Sequence, residues 1–190
     1  ASRALGYSEQ VAALGAVVRD LTSQAGGKLP LRVLAFDQEV DEIYTGDGAS
    51  FGNTQLQRLR DRRALGASNL EVALKHAEKV AQGYHRVLLF SDGVITAGAT
   101  EAPGLKPLVQ KLGQVGVQRI DALTVGGIRD ESMLSRIVTA GLTNDGVVAD
   151  SALPPLLIAQ KLRRGTFSNS KVSAEGSQWV WPVELNGIQP

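Results

Sequence analysis

The chain has no cysteine, one methionine and only two histidines in 190 residues. Without cysteine there can be no disulfide and no thiolate metal site, and cysteine usage says nothing about the redox compartment. No apolar run approaches the roughly 20 residues of a membrane span, and no signal peptide is visible. Neither charge sign dominates. Lys plus Arg is 20 and Asp plus Glu is 19, a net charge of +1, which gives no reason to expect nucleic acid or an anionic membrane as partner. There is no Gly-x-Gly-x-x-Gly or P-loop signature for nucleotides. There is also no Gly-x-Ser-x-Gly elbow for a Ser-His-Asp hydrolase. With 43% hydrophobic and 21% charged residues, what remains is a globular domain with room for a core. The sequence carries no signal of oligomeric state.

Hydrophobic periodicity predicts helices alternating with strands. Tyr7 to Gln24 reads as an amphipathic helix, with Ser8 as its N-cap and Gly26-Gly27 as its stop. Leu31 to Val40 reads as a strand, Ile43 to Thr45 as a short edge strand, and Gly46 to Gly52 as a turn-rich loop. Gln55 to Leu65 is a polar, Arg-rich helix or turn, and Leu70 to Ala81 a clearer helix. After the strand that ends at Asp92, Leu105 to Leu112 is a helix and Gln118 to Val125 a strand. Ser132 to Ala140 is a helix capped by Asp130. Gly146 to Ala149 is a last short strand. Pro154 to Arg164 is a helix with prolines in its first turn, where they are tolerated. The alternation predicts an α/β fold, a doubly wound, Rossmann-like parallel sheet with helices on both faces. After Gly165 the texture changes to Ser, Asn and Gly. Gln178 to Leu185 is then strand-like, with Trp179 and Trp181 on one face, which suits packing against another β element. The chain opens on Ala1, with no initiator Met, and on a helix. Doubly wound folds normally open with a strand in mid-sheet, so the first strand is expected upstream of residue 1.

The most informative stretch is Val87-Leu88-Leu89-Phe90-Ser91-Asp92-Gly93. A short continuous apolar run fits a strand buried on both faces. Ligands of open α/β sheets bind beyond the carboxyl ends of the strands, which is where Asp92 sits. Two other segments should meet it there: Ala1-Ser2, in the loop leading into the first helix, and Gly66-Ala67-Ser68-Asn69-Leu70, a loop leading into the next. Together they offer hydroxyls and one carboxylate. Hard oxygen donors without His or Cys suit Mg²⁺, Mn²⁺ or Ca²⁺ and argue against zinc. A site with so little protein charge would welcome a carboxylate from a partner molecule.

At these residues the chain resembles the von Willebrand factor A domain family. That family's metal-ion-dependent adhesion site joins Asp-x-Ser-x-Ser after the first strand, a Thr in a later Gly-rich loop, and an Asp after the fourth strand. Gly66-Ala67-Ser68-Asn69-Leu70, followed by Ala73-Leu74, is similar to the second element, with Ser68 in place of Thr. Phe90-Ser91-Asp92-Gly93 is similar to the third. Ala1-Ser2 fits the last two positions of the first, whose leading Asp and first Ser are absent. The resemblance covers roughly residues 1–164, and 165–190 would be a linker plus a β-strand tail. It is closest to bacterial proteins that resemble the heavy chains of inter-alpha-trypsin inhibitor, where a β-rich segment follows the last helix.

The resemblance implies a non-enzymatic adhesion domain with Ser2, Ser68 and Asp92 as the resident metal ligands. The cation would be Mg²⁺, Mn²⁺ or Ca²⁺, held weakly or not at all without the leading Asp. A protein ligand would donate Asp or Glu. It also favours an extracellular, cell-surface or periplasmic setting. The rival is a scaffold module with a degenerate, metal-free site. A magnesium-dependent phosphotransfer relative would need an acidic pair on the missing strand. Blander readings stand beside each residue. Asp92 would cap the turn after its strand, Ser68 would be a helix N-cap, and Ser91 a hydroxyl bonded to backbone. Asp37 would be a turn residue before Val40. His76 and His85 would be surface or satisfied histidines, and Arg58, Arg60, Arg62 and Arg63 a solvated helix face.

Overall fold

The computed structural model describes residues 2–63, 66–167, 170, 171, 176, 184–186, 188 and 189. Helix α1 spans Ser2–Gln24, followed by strands β1 (Pro30–Phe36) and β2 (Val40–Asp47). A short 3-10 turn at Gly48–Ser50 leads into α2 (Asn53–Arg62) and α3 (Leu70–Val80). Then come β3 (Arg86–Ser91), α4 (Ala102–Gln114), β4 (Arg119–Thr124), α5 (Glu131–Val138), β5 (Val148–Asp150) and α6 (Pro155–Arg163). In the tail, β6 (Ser170–Lys171) pairs antiparallel with β7 (Glu184–Leu185). Trp179 and Trp181 lie outside the described residues. Among the described residues no helix is long and apolar enough to cross a membrane.

β3, β4 and β5 form a parallel sheet in that order, while β1 and β2 form a separate antiparallel hairpin. Period-two alternation divides the parallel sheet between two helical layers. Val87, Leu89, Ile120, Ala122 and Val148 pack with Leu70 and Leu74 of α3, Leu105 and Leu112 of α4, and Leu134 of α5. Leu88, Phe90, Leu123 and Ala149 pack on the opposite face with Val17 of α1 and with Ile158 and Leu162 of α6. The hairpin has its own cluster, in which Val33 and Ile43 meet Val11 and Val18 of α1 and Leu56 and Leu59 of α2.

Three expectations are corrected. The first helix starts at Ser2 rather than Tyr7, so Ser8 is not its cap. Tyr7 instead pins the early turns to α2, its hydroxyl donating to the Leu59 carbonyl at 2.9 Å. The strand expected over Leu31 to Val40 ends at Phe36, and Val40 already opens β2, which takes in the edge strand expected at Ile43 to Thr45. Residues 37–39 turn tightly, with the Asp37 amide donating to the Glu39 carbonyl (3.0 Å) and the Glu39 amide to Asp37 Oδ1 (3.1 Å). The fourth helix begins at Ala102, earlier than expected, because Pro103 falls in its first turn where no amide is needed.

One buried charge is built into the amino end of the sheet. Asp121 is fully buried on β4. Its Oδ2 accepts from Arg86 Nε at 2.7 Å, and its Oδ1 from Arg119 Nε at 2.8 Å and the Val147 amide at 2.9 Å. Arg86 and Arg119 are register partners on adjacent strands. Each also reaches a carbonyl near the end of α6, Arg86 that of Leu162 and Arg119 that of Arg164. One carboxylate thus ties β3, β4, the approach to β5 and α6 together. Removing one member of a buried ion pair costs about 3–5 kcal/mol where its partner stays buried and unpaired, as Arg119 would, whereas the Arg86 side chain is 39% exposed. Asp121→Ala is expected to lower unfolding free energy by that amount in urea titrations. A loss below about 1 kcal/mol, the range of exposed pairs, would contradict the assignment.

Candidate functional site

The carboxyl ends of the strands bring the predicted loops together. β3 ends at Ser91, and the chain turns sharply at Gly93. Three contacts hold that turn. The Gly93 amide donates to Ser91 Oγ at 3.0 Å, the Val94 amide to Asp92 Oδ1 at 2.9 Å, and the Asp130 amide to the Asp92 carbonyl at 2.7 Å. Gly93 has φ +80°, and an added Cβ would run into the Asp130 carbonyl oxygen. Only glycine suits both conditions. Ser91 therefore bonds backbone, as its bland reading expects. Asp92 caps its own turn with one oxygen only. Its Oδ2 accepts no hydrogen bond from the described residues.

The loop holding Ser68 is latched to the segment just after Asp92. The Ser68 amide donates to Thr96 Oγ1 at 2.8 Å, and the amides of Thr96 and Ala97 donate to the Ser68 carbonyl at 3.1 and 3.3 Å. On its other side the Asn69 amide donates to the Asp37 carbonyl at 3.0 Å. Ser68 is not the cap of α3. Asn69 is, its side chain accepting from the Val72 amide at 3.2 Å. The Ser68 hydroxyl makes no hydrogen bond among the described residues. The Ser68 loop is thus held against the segment that follows Asp92, and among the described residues the Ser68 hydroxyl and Asp92 Oδ2 make no hydrogen bond. Ser2, expected in a loop, is the first residue of α1, and its side chain lies outside the described residues.

Several other charges around this edge are paired. Asp37 Oδ2 lies 3.0 Å from Arg62 Nη2, and Arg62 Nε donates to Asp41 at 2.6 Å. Burial raises the Asp37 carboxyl, but the Glu39 amide and the Arg62 guanidinium outweigh that and hold it below the ordinary carboxylate range. Arg58 donates to the Ile43 carbonyl at 3.0 Å, so two of the four clustered arginines brace the hairpin and do not form a merely solvated face. At the ends of β4 and β5, Arg129 Nη1 donates to Asp150 at 2.7 Å and to Thr124 Oγ1 at 3.2 Å. The Arg129 hydrogen bond is the main cause holding the Asp150 carboxyl low. His85 is exposed, its Nδ1 3.3 Å from the Gly116 carbonyl. His76 is half-buried.

The donor chemistry fits a hard cation: a hydroxyl and a carboxylate oxygen, with no imidazole beside them. Among the described residues no group of three or more His, Asp or Glu side chains gathers as a metal cluster.

No family model matches the chain, and no curated protein matches it. Among solved structures it is similar to the manganese-loaded TRAP protein of Plasmodium vivax, at 17% identity with a TM-score of 0.55. The likeness covers 77% of this chain and 64% of that one. At such low identity it shows the fold alone. That fold is α/β and von Willebrand factor A-like, with a parallel sheet flanked by helices.

Two outcomes follow from the corner's construction. Gly93→Ala forces a positive φ on a residue with a Cβ and is expected to cost roughly 1–3 kcal/mol in urea unfolding. A neutral effect would show that the turn is not held as described. Asp37 titrates lower folded than unfolded, so its contribution is complete above the unfolded value of about 3.9. That contribution is lost as pH falls through the folded value. Asp37→Asn is expected to flatten the acid limb of stability measured between about pH 5 and pH 2. An unchanged limb would rule out the Arg62 pairing as its source.

Proposed function

We propose that this domain is a non-enzymatic protein-recognition module that engages a partner carboxylate through a divalent cation at the Ser68–Asp92 corner. One observation carries the reading. The Ser68 hydroxyl and Asp92 Oδ2 are left uncommitted at one corner, while Asn69 and Asp92 Oδ1 do the capping that would otherwise explain both residues. Ser68 would coordinate directly, Asp92 directly or through water, and Ser2 would add a hydroxyl from the start of α1. Mg²⁺ or Mn²⁺ keeps several waters when few protein oxygens are present. One of those positions would pass to an Asp or Glu of the partner. The solved structural neighbour is manganese-loaded, which supports a divalent cation at a fold of this kind. The finer resemblance, to bacterial inter-alpha-trypsin inhibitor-like proteins, would place the domain within a larger surface or secreted architecture.

A second reading rests on the corner's single uncommitted carboxylate. With so little charge the fold would serve as a scaffold and no metal would bind.

Isothermal titration of the chain with Mn²⁺ and Mg²⁺ separates the two. Cation recognition predicts a binding heat that Asp92→Ala abolishes and Ser68→Ala weakens by at least about tenfold, given that even indirect partners of a metal site are worth 10–100-fold. Identical titrations of wild type and Asp92→Ala would remove Asp92 from any metal role and favour the scaffold.

A further inference from the structure

Ser68 and Asp92 lie on different loops, and one short segment ties the two together. Both backbone groups of Ser68 are spent on residues 96 and 97. Its amide donates to Thr96 Oγ1 at 2.8 Å, and its carbonyl accepts from the Thr96 and Ala97 amides at 3.1 and 3.3 Å. Only the Ser68 side chain is left over. From Thr96 the chain runs back to Asp92 in four residues, a span of at most about 14 Å. That span is held along its length. The Asp92 carbonyl accepts from the Asp130 amide at 2.7 Å, the Val94 amide donates to Asp92 Oδ1 at 2.9 Å, and Ile95 packs against the main core cluster.

The contact continues past Thr96. Gly98 lies so close to Asn69 that an added Cβ would run into Asn69 Oδ1. The Ala99 amide donates to Glu71 Oε2 at 2.8 Å. Residues 96–99 thus run beside residues 68–71 in the same direction, in step from Ser68 to Glu71. Glu71 is the carboxylate nearest Ser68 in sequence, but it is no spare ligand. Its other oxygen, Oε1, accepts from Lys75 Nζ at 2.6 Å. Both of its oxygens are engaged, one of them in holding the segment that leads back to Asp92.

We infer that residues 96–99 act as a clamp that sets where the Ser68 hydroxyl stands relative to Asp92, with Thr96 and Glu71 as its positioning residues. Thr96 acts through the Ser68 amide, and Glu71 through the Ala99 amide. Two oxygens held at a fixed separation bind a hard cation more tightly than the same oxygens on independent loops, because their ordering is complete before the cation arrives. The effect on cation affinity rests on the Ser68–Asp92 reading, whereas the clamp itself rests on the hydrogen bonds alone.

Amide hydrogen exchange without metal and calorimetric titration with Mn²⁺, both on the whole chain, test it. Thr96→Val keeps the shape of the side chain and removes the oxygen that accepts from Ser68, whereas Thr96→Ser keeps that oxygen. Glu71→Ala removes the acceptor for Ala99, and Glu71→Gln keeps one. The Ser68 amide in Thr96→Val, and the Ala99 amide in Glu71→Ala, are expected to exchange at least about tenfold faster, with β4 unchanged. Mn²⁺ affinity is expected to fall by at least about tenfold in both, as for outer partners of metal ligands, and to return to within about twofold of wild type in Thr96→Ser and Glu71→Gln. Unchanged exchange at both amides would overturn the clamp. So would exchange that quickens equally throughout β4, the mark of a general loss of stability. Faster local exchange with wild-type Mn²⁺ affinity would overturn the positioning role, as would failure of Thr96→Ser to restore affinity. A wild-type chain that takes up no Mn²⁺ removes the cation reading, and the exchange data alone then uphold or overturn the clamp.

Discussion

Helix α1 is the element on which the rest of the molecule depends. The hairpin and the parallel sheet share no strand-to-strand hydrogen bond among the described residues, so side-chain packing joins them, together with bonds from the hairpin to α3 and its loop. Val17 is fully buried against Leu123 and Ala149 below and Ile158 and Leu162 beside it. One position further on, Val18 packs with the hairpin cluster instead. Neighbouring residues on a helix point about 100° apart, so one helix can serve two cores only if apolar side chains occupy a broad arc. Gly15 makes this geometry possible. Its missing side chain lets α1 approach α2 so closely that a Cβ there would lie 2.8 Å from Leu56 Cδ1.

That arrangement explains what was legible in the sequence. Helices announced themselves wherever one face was apolar and a cap or breaker marked the end, as with Asp130, which accepts from the Met133 amide at 2.8 Å. Strand β3 was legible because a continuous apolar run bounded by a turn has few other uses. At residues 37–39 the reading of Asp37 as a turn residue before Val40 holds, but the turn's extent is not legible. Asp37-Gln38-Glu39 has no glycine or proline to mark it, and its hydrogen bonds exist only once the two strands have met. The start of α1 was misplaced for a related reason. Ser8 is a good local cap, but the tertiary anchor of Tyr7 on α2 outweighs that preference.

At the site, Asp92 could be found from its place at a strand end, since topology fixes what lies beyond it. The role of Ser68 was harder to read. Serine and asparagine are near-equal capping residues, and nothing local decides which of two adjacent candidates takes the position. Thr96 gave no signal at all, because its hydroxyl acquires meaning only from the Ser68 amide 28 residues away. The Asp121 cluster was hidden in the same way. A carboxylate in an apolar strand is intelligible only when Arg86 and Arg119 are seen beside it, each also reaching a carbonyl near the end of α6.

The two ends of the sheet show how the same residue types serve opposite purposes. At the amino end, Asp121 has no solvent exposure and spends both oxygens on three donors. A buried charge that fully satisfied is inert: it cannot change partners without leaving the buried Arg119 guanidinium unpaired. At the carboxyl end, Arg129 pairs with Asp150 in a partly exposed pair, and Arg62 pairs with Asp37 in a largely buried one. Asp92 lies between those pairs with no cation of its own among the described residues and one oxygen already fixed by the Val94 amide. That fixed oxygen orients the carboxylate and leaves the other free to act. If Asp92 recognises a partner as proposed, what sets it apart from Asp121 is therefore not its residue type or its strand, but how many of its lone pairs the fold has already consumed.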